Sequence, residues 1–139
     1  MTRSVLLVLC ALIASTQQPP IPDTPAGRTF SAWLAALNSG DRNQIAAYVQ
    51  KYQPDQTVDG ILRFRTRSDG FDVQRIVRSE RAHLEVLLAG HRGPAVLAVL
   101  DVNDADPARV TRLAFRPMPP GASQSEIETR IDAATRARG

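Results

Sequence analysis

The spacing of apolar residues along this chain changes near residue 70, from a helical repeat to strict alternation. Before that point, Phe30, Trp33, Leu34 and Leu37 fall on one stripe and predict an amphipathic helix over 25–38. Thr24-Pro25 supplies its start, a hydroxyl cap followed by proline at the first helical position. Asn38-Ser39-Gly40 supplies its end. Asp41 is placed to cap a second helix over 42–52, with Ile45, Ala46, Val49 and Tyr52 on its stripe and Pro54 as its stop. Val58, Ile61, Leu62 and Phe64 fit a third helix within 55–68. Gly60 weakens it, and Asp69-Gly70 ends it.

From Phe71 the period is two. Phe71, Val73 and Val77 alternate with Asp72, Gln74 and Arg78. Ala82, Leu84, Val86 and Leu88 alternate with His83, Glu85, Leu87 and Ala89. Residues 95–102 are nearly all apolar, as in a central strand covered on both faces. Thr111, Leu113 and Phe115 alternate with Arg112, Ala114 and Arg116. Short turns separate the four strands, which predicts an antiparallel meander. Helices first and strands afterwards make an α+β fold. N-terminal helices pack on a curved four-stranded antiparallel sheet, with Trp33 as the large core filler. After a Pro-rich break at 117–121, Ser123 and Glu126 have capping-box spacing for a helix over 123–138. Its stripe is only Ile127 and Ile131, too short to hold a helix in water without a surface to pack on.

The first residues carry an address rather than a fold. Arg3 is followed by an apolar run from Val5 to Ala14, then by the small residues Ala14-Ser15-Thr16. That run has the length of an export-signal core and is too short to span a bilayer. The expected organisation is a signal peptide over 1–16, cleaved between Ala14 and Gln18, and a Pro-rich linker over 17–24. An α+β cone domain over 25–117 follows, and then a linker with a short helix over 118–139. The product is expected to be exported, periplasmic or secreted, with no membrane span after cleavage. Cys10, the only cysteine, lies inside the signal and is preceded by Leu9, where lipid attachment requires a small residue. The mature chain therefore has no thiol, disulfide or cysteine metal site. Net charge is +3, carried by Arg with Lys51 as the sole lysine. Acids are interspersed among the basic residues, which argues against nucleic-acid binding.

Candidate chemistry is sparse. His83 shares a predicted strand face with Glu85, a pair able to orient a general base or help hold a metal, though no third ligand accompanies it. The expected setting is an exposed sheet face, with Asp72, Glu85 and Asp101 pointing outward or lying at strand ends. His91 falls in a Gly-Pro turn and is expected to be solvated. Asp101, Asp104 and Asp106 lack calcium-loop spacing, the bend glycine and a closing Glu. There is no Gly-x-Ser-x-Gly elbow, and the residue three before Lys51 is Tyr48, so no Ser-x-x-Lys exists. Neither a phosphate loop nor a dinucleotide fingerprint is present. Arg63 and Arg67 stand one helical turn apart and are expected to form a solvated face with Asp59.

Several segments together are similar to a known module. They are Thr24-Pro25-Ala26-Gly27-Arg28, Trp33-Leu34-Ala35-Ala36-Leu37-Asn38-Ser39-Gly40-Asp41, and Arg65 to Val73, followed by Asp101-Val102, Pro107, Arg109-Val110 and Leu113. Over roughly 24–117 the chain resembles the N-terminal accessory module of exported bacterial serine hydrolases, namely β-lactamase-like hydrolases and retinoid-binding-protein-like serine peptidases. The resemblance implies a cystatin-like, nuclear-transport-factor-2-like cone with an accessory role. In such hosts the catalytic Ser and Lys belong to a downstream domain, so no catalytic residue transfers here. The linker and helix that would lead into that domain are present and the sequence then ends, as a standalone module or a truncated hydrolase would.

The expectation is thus a non-catalytic accessory or binding domain without cofactor or metal. Its expected partner is a serine hydrolase catalytic domain or a cell-envelope protein, and its candidate partner surface comprises Arg63, Arg67, Ile127 and Ile131. The alternative is a small-molecule-binding or enzymatic cone whose pocket, between sheet and helices, is lined by Trp33, Leu37, Tyr48, Val86 and Val99.

Overall fold

The computed structural model describes residues 18–119 and 124–137. The expected export signal, Cys10 and Ser123 of the capping box lie outside the described residues. Three helices come first: α1 (Pro25–Ser39), α2 (Arg42–Tyr52) and α3 (Val58–Ser68). Four strands follow, β1 (Phe71–Ser79), β2 (His83–Gly90), β3 (Val96–Val102) and β4 (Val110–Pro117), and then α4 (Gln124–Arg136). The strands form one antiparallel sheet in the order β1-β2-β3-β4. The α+β class and the helices packed on a curved antiparallel sheet are as the sequence predicts.

Each early helix is closed by the residue type its ends require. The Thr24 hydroxyl accepts the Gly27 N–H at 2.9 Å, and the Asp41 carboxylate accepts those of Asn43 and Gln44 at 2.7 and 3.2 Å. Thr57 caps α3 by accepting the Gly60 N–H at 3.1 Å, so Gly60 lies under a cap rather than interrupting a helix. Asp69 ends α3 in the left-handed conformation, φ 57°.

The sheet has two covered faces. α1 lies across its inner face, where Phe30, Leu37, Leu84, Val86, Leu88, Ala98 and Leu100 form the main core. Trp33, 3% exposed, is the filler. Its ring centroid lies 5.2 Å from Phe115, 5.4 Å from Phe30 and 6.5 Å from both Phe64 and Phe71. On the other face, Leu87, Leu97 and Val99 pack with Met118, Ile127 and Ile131. From Val96 to Leu100 β3 is thus apolar because both its faces are covered there.

Two shifts of register in β1, between Val73 and Arg75 and between Ile76 and Arg78, correct the predicted alternation. Val73 and Ile76 both face the main core, three residues apart, while Val77 packs with the α4 cluster. Extra residues in one strand reverse its facing pattern, which strict period two cannot anticipate.

The end of α1 and the start of β1 meet at one point. Asn38, in the last turn of α1, accepts the Phe71 N–H at 2.9 Å and donates to the Phe71 carbonyl at 2.8 Å. A β-carbon on Gly70, φ 90°, would lie 2.6 Å from the same Asn38 Oδ1. The Asn-Ser-Gly-Asp and Gly-Phe-Asp sequences therefore have a shared structural purpose, fastening the start of the sheet to the end of α1.

Candidate functional site

The five expected pocket residues do not gather around a cavity. Leu37, Tyr48 and Val86 are packed into the main core, whereas Val99 lies on the opposite face of the sheet with Leu97 and Ile131. Val99 pairs with Glu85, not with an inward residue, because successive side chains of a strand face opposite ways. Tyr48 donates its hydroxyl to Gln53 Oε1 at 2.9 Å, and burial pushes its phenol well above the ordinary range. Of the five, Trp33 alone reaches an opening.

That opening is a cleft of about 210 Å³ between α3 and β4, walled by Ile61, Phe64, Arg67, Leu113 and Phe115 with Trp33 at its floor. Arg67 also borders two neighbouring depressions. One runs along the α2–α3 side with Arg42, Asp59 and Arg63. The other runs toward Phe71, Arg92, Pro94 and Pro117. Arg67 is shared by all three, so it stands between an apolar cleft and two shallower depressions that carry Arg63 and Arg92. Asp59 lies exposed with Arg63 and Arg67 along one depression, the solvated face expected from the sequence. It binds Arg42 at 2.7 Å, and that hydrogen bond and charge hold its carboxyl below the usual carboxylate range. Arg63, Arg67 and Arg92 form no ion pair with any other described residue.

The other half of the expected partner surface is elsewhere and covered. Ile131 is 3% exposed and Ile127 is half-buried, both seated on the second face of the sheet. The short stripe of α4 has found its packing surface within this domain, and Glu128 reinforces it by binding Arg75 at 3.0 Å.

The sequence also misplaces the histidine cluster. Glu85 does face away from α1–α3, but it is 1% exposed. His83 stands between two carboxylates: Nε2 lies 3.3 Å from Glu85, and Nδ1 is hydrogen-bonded to Asp101, its partner in register across β2 and β3. The side chains of His83 and Asp101 are 17% and 31% exposed. Arg78, Glu80 and Arg112 surround the open end of this cluster. Both ring nitrogens face a carboxylate, the Nδ1 contact being the hydrogen bond of the two. The arrangement suits a structural polar knot, and the missed signal is Val99, whose apolar run places a covered strand beside Glu85. No group of three or more His, Cys, Asp and Glu side chains among the described residues is arranged to hold a metal ion. His91 is exposed yet engaged, with Nδ1 at 2.7 Å from the Asp69 carbonyl and Nε2 at 3.0 Å from Asp72. The Asp72 hydrogen bond raises its pKa above the ordinary imidazole value.

No helix among the described residues is long and apolar enough to cross a membrane. No family model matches the chain, and neither a curated protein nor a solved structure matches it.

Proposed function

We propose that this chain is an exported, non-catalytic accessory domain that binds a partner protein through the groove between α3 and β4. The observation that carries this reading is the position of Arg63 and Arg67. Arg67 lines the apolar cleft floored by Trp33, Arg63 stands one helical turn away in the adjoining depression, and neither forms an ion pair with another described residue. An apolar floor with a charged rim is the common anatomy of a protein-binding surface, with aromatic and Arg side chains as its strongest anchors. A serine hydrolase catalytic domain or another cell-envelope protein is the partner class implied by the resemblance of residues 24–117. The filled interior weighs against a small-molecule cone. Phe30, Trp33, Phe64, Phe71 and Phe115 occupy the space such a cavity would take.

The test is site-specific photocrosslinking of the full chain in the exporting cell, with the photoreactive residue at Arg67 or, as a control, at Thr129 on the exposed side of α4. The expected result is a discrete crosslinked protein from position 67, none from position 129, and loss of the product in Arg63→Glu. Equal yields from both positions, or no adduct from either, refute the reading. Export is checked by fractionation, with the chain expected outside the cytoplasm and shortened at its N-terminus.

A further inference from the structure

We propose that the free edge of β4 is a strand-addition site for an extended segment of the partner in which carboxylate and apolar side chains alternate. This rests on the partner-binding reading above and names the chemistry of what is bound. Among the described strands β4 is hydrogen-bonded to β3 alone, so its other edge presents backbone donors and acceptors. On the opposite edge of the sheet, Gln18 Oε1 accepts one β1 donor, the Val73 N–H, at 2.9 Å.

The side chains of β4 define the pattern an added strand must carry. Leu113 and Phe115 face inward and are half-buried, lining the cleft with Trp33 and Phe64. Arg112 and Arg116 face the other way and are exposed. Side chains on a strand alternate between faces. Inward positions of an added strand therefore meet Leu113, Phe115 and Phe64, while outward positions lie across from Arg112 and Arg116. Arg67 and Arg92 wait at the rim. Arg67, Arg92 and Arg116 form no ion pair with any other described residue, Arg112 stands across from Asp101 of β3, and opposite charges across neighbouring strands attract.

Two other occupants fit less well. A second copy pairing edge to edge would bring the Arg112 and Arg116 rows together, which like-charge repulsion opposes. Residues 1–17 contain Arg3 and no acid, so they offer no complement to the basic rim.

The experiment measures binding of a short fluorescein-labelled peptide alternating Glu with Val and Phe to the full chain purified after export. Three comparisons accompany it: the same peptide with Lys for Glu, a version N-methylated on alternate backbone amides, and the Arg67→Glu/Arg112→Glu protein. Trp33 fluorescence checks that the variant is folded. The Glu peptide is expected to bind at least about tenfold more tightly than the Lys peptide at low salt, a preference the double variant reverses. N-methylation is expected to abolish binding, and the Glu peptide to slow amide exchange along β4. Binding indifferent to charge or to N-methylation, exchange protection away from β4, or no binding at all overturns the inference. If position 67 still crosslinks a partner when the peptide fails, strand addition falls and the partner-binding reading stands. If both fail, the reading falls as well.

Discussion

Removing the imidazole from His83 separates two interactions of very different environment. On one side is Glu85, 1% exposed and 3.3 Å from Nε2. On the other is Asp101, whose side chain keeps 31% of its surface in water. A buried carboxylate that loses a hydrogen-bonding or charged neighbour typically costs about 3–5 kcal/mol. A partly solvated one costs under about 1 kcal/mol, because water replaces the lost contact. His83→Leu should therefore lower unfolding stability by about 3 kcal/mol, with most of the loss assigned to Glu85. Asp101→Asn should cost about 1 kcal/mol.

Glu85→Leu supplies the discriminating comparison. The new side chain sits on the face that holds Leu87, Leu97 and Val99, so it extends an existing apolar cluster. Exchanging a buried charge for an apolar group of similar size is often close to neutral. In the Glu85→Leu background, His83→Leu should cost about 1 kcal/mol, which gives a coupling of about 2 kcal/mol between the two sites. Urea unfolding at neutral pH measures each corner of the cycle. The single Trp of the chain is a convenient reporter, since Trp33 is buried among four Phe rings. Coupling below about 0.5 kcal/mol, or a larger loss for Asp101→Asn than for His83→Leu, would falsify the idea that His83 supports a buried carboxylate.

Three further outcomes follow from the same geometry. Asn38→Ala removes both hydrogen bonds to the Phe71 backbone and should cost about 2 kcal/mol in urea unfolding, with faster exchange of the Phe71 amide; an unchanged amide would refute the fastening role. Gly27→Ala would place a β-carbon 1.8 Å from the Pro22 carbonyl oxygen, so the first turn of α1 must shift away from the preceding chain. A loss of about 1–3 kcal/mol is expected, whereas a gain in melting temperature would show that Pro22 moves freely. For His91, the pKa is raised in the folded state, so its bonds to Asp72 and Asp69 add stability fully below the unfolded value of about 6.5, and that contribution is lost as pH rises through the higher folded value. Asp72→Asn should move the NMR titration midpoint of His91 down toward the ordinary value; an unmoved midpoint would rule out Asp72 as the main cause.

What was readable in the sequence is what local rules determine. Thr24, Asp41 and Asp69 have the residue types that helix ends require, and each serves there in the structure. The four strands and their order also follow from short turns between alternating segments. What was not readable depends on tertiary context. The irregular register of β1 sends Val77 to the opposite face from Val73, and no period-two pattern encodes that switch. Glu85 reads as a solvated residue because its neighbours in sequence alternate normally. Its burial depends on partners in β3. The groove was half legible. Arg63 and Arg67 are exposed as expected, but α3 brings Arg67 beside Leu113 and Phe115 across about fifty residues of sequence, a distance no spacing rule spans. Ile127 and Ile131 read as a surface in need of a partner, and the partner is the second face of their own sheet.

That last point shapes where function can reside. A four-stranded sheet offers two faces and two edges, and in this domain three of the four are engaged wholly or in part by the chain itself. α1 with its companions covers the inner face, α4 covers part of the outer one, and Gln18 takes a donor at the β1 edge. The remaining edge, β4, is bordered by the cleft above Trp33 and by arginines without described ion-pair partners. An exposed strand edge is an aggregation hazard unless it is guarded, and positive charge together with a terminal proline is a common guard. Arg112, Arg116 and Pro117 occupy those positions in β4. Under the proposal above, that guard would be selective, repelling a second copy of this chain and attracting an acidic strand. On that reading Arg112 and Arg116 would set the charge of a segment that binds there, and Pro117 would limit how far pairing can run.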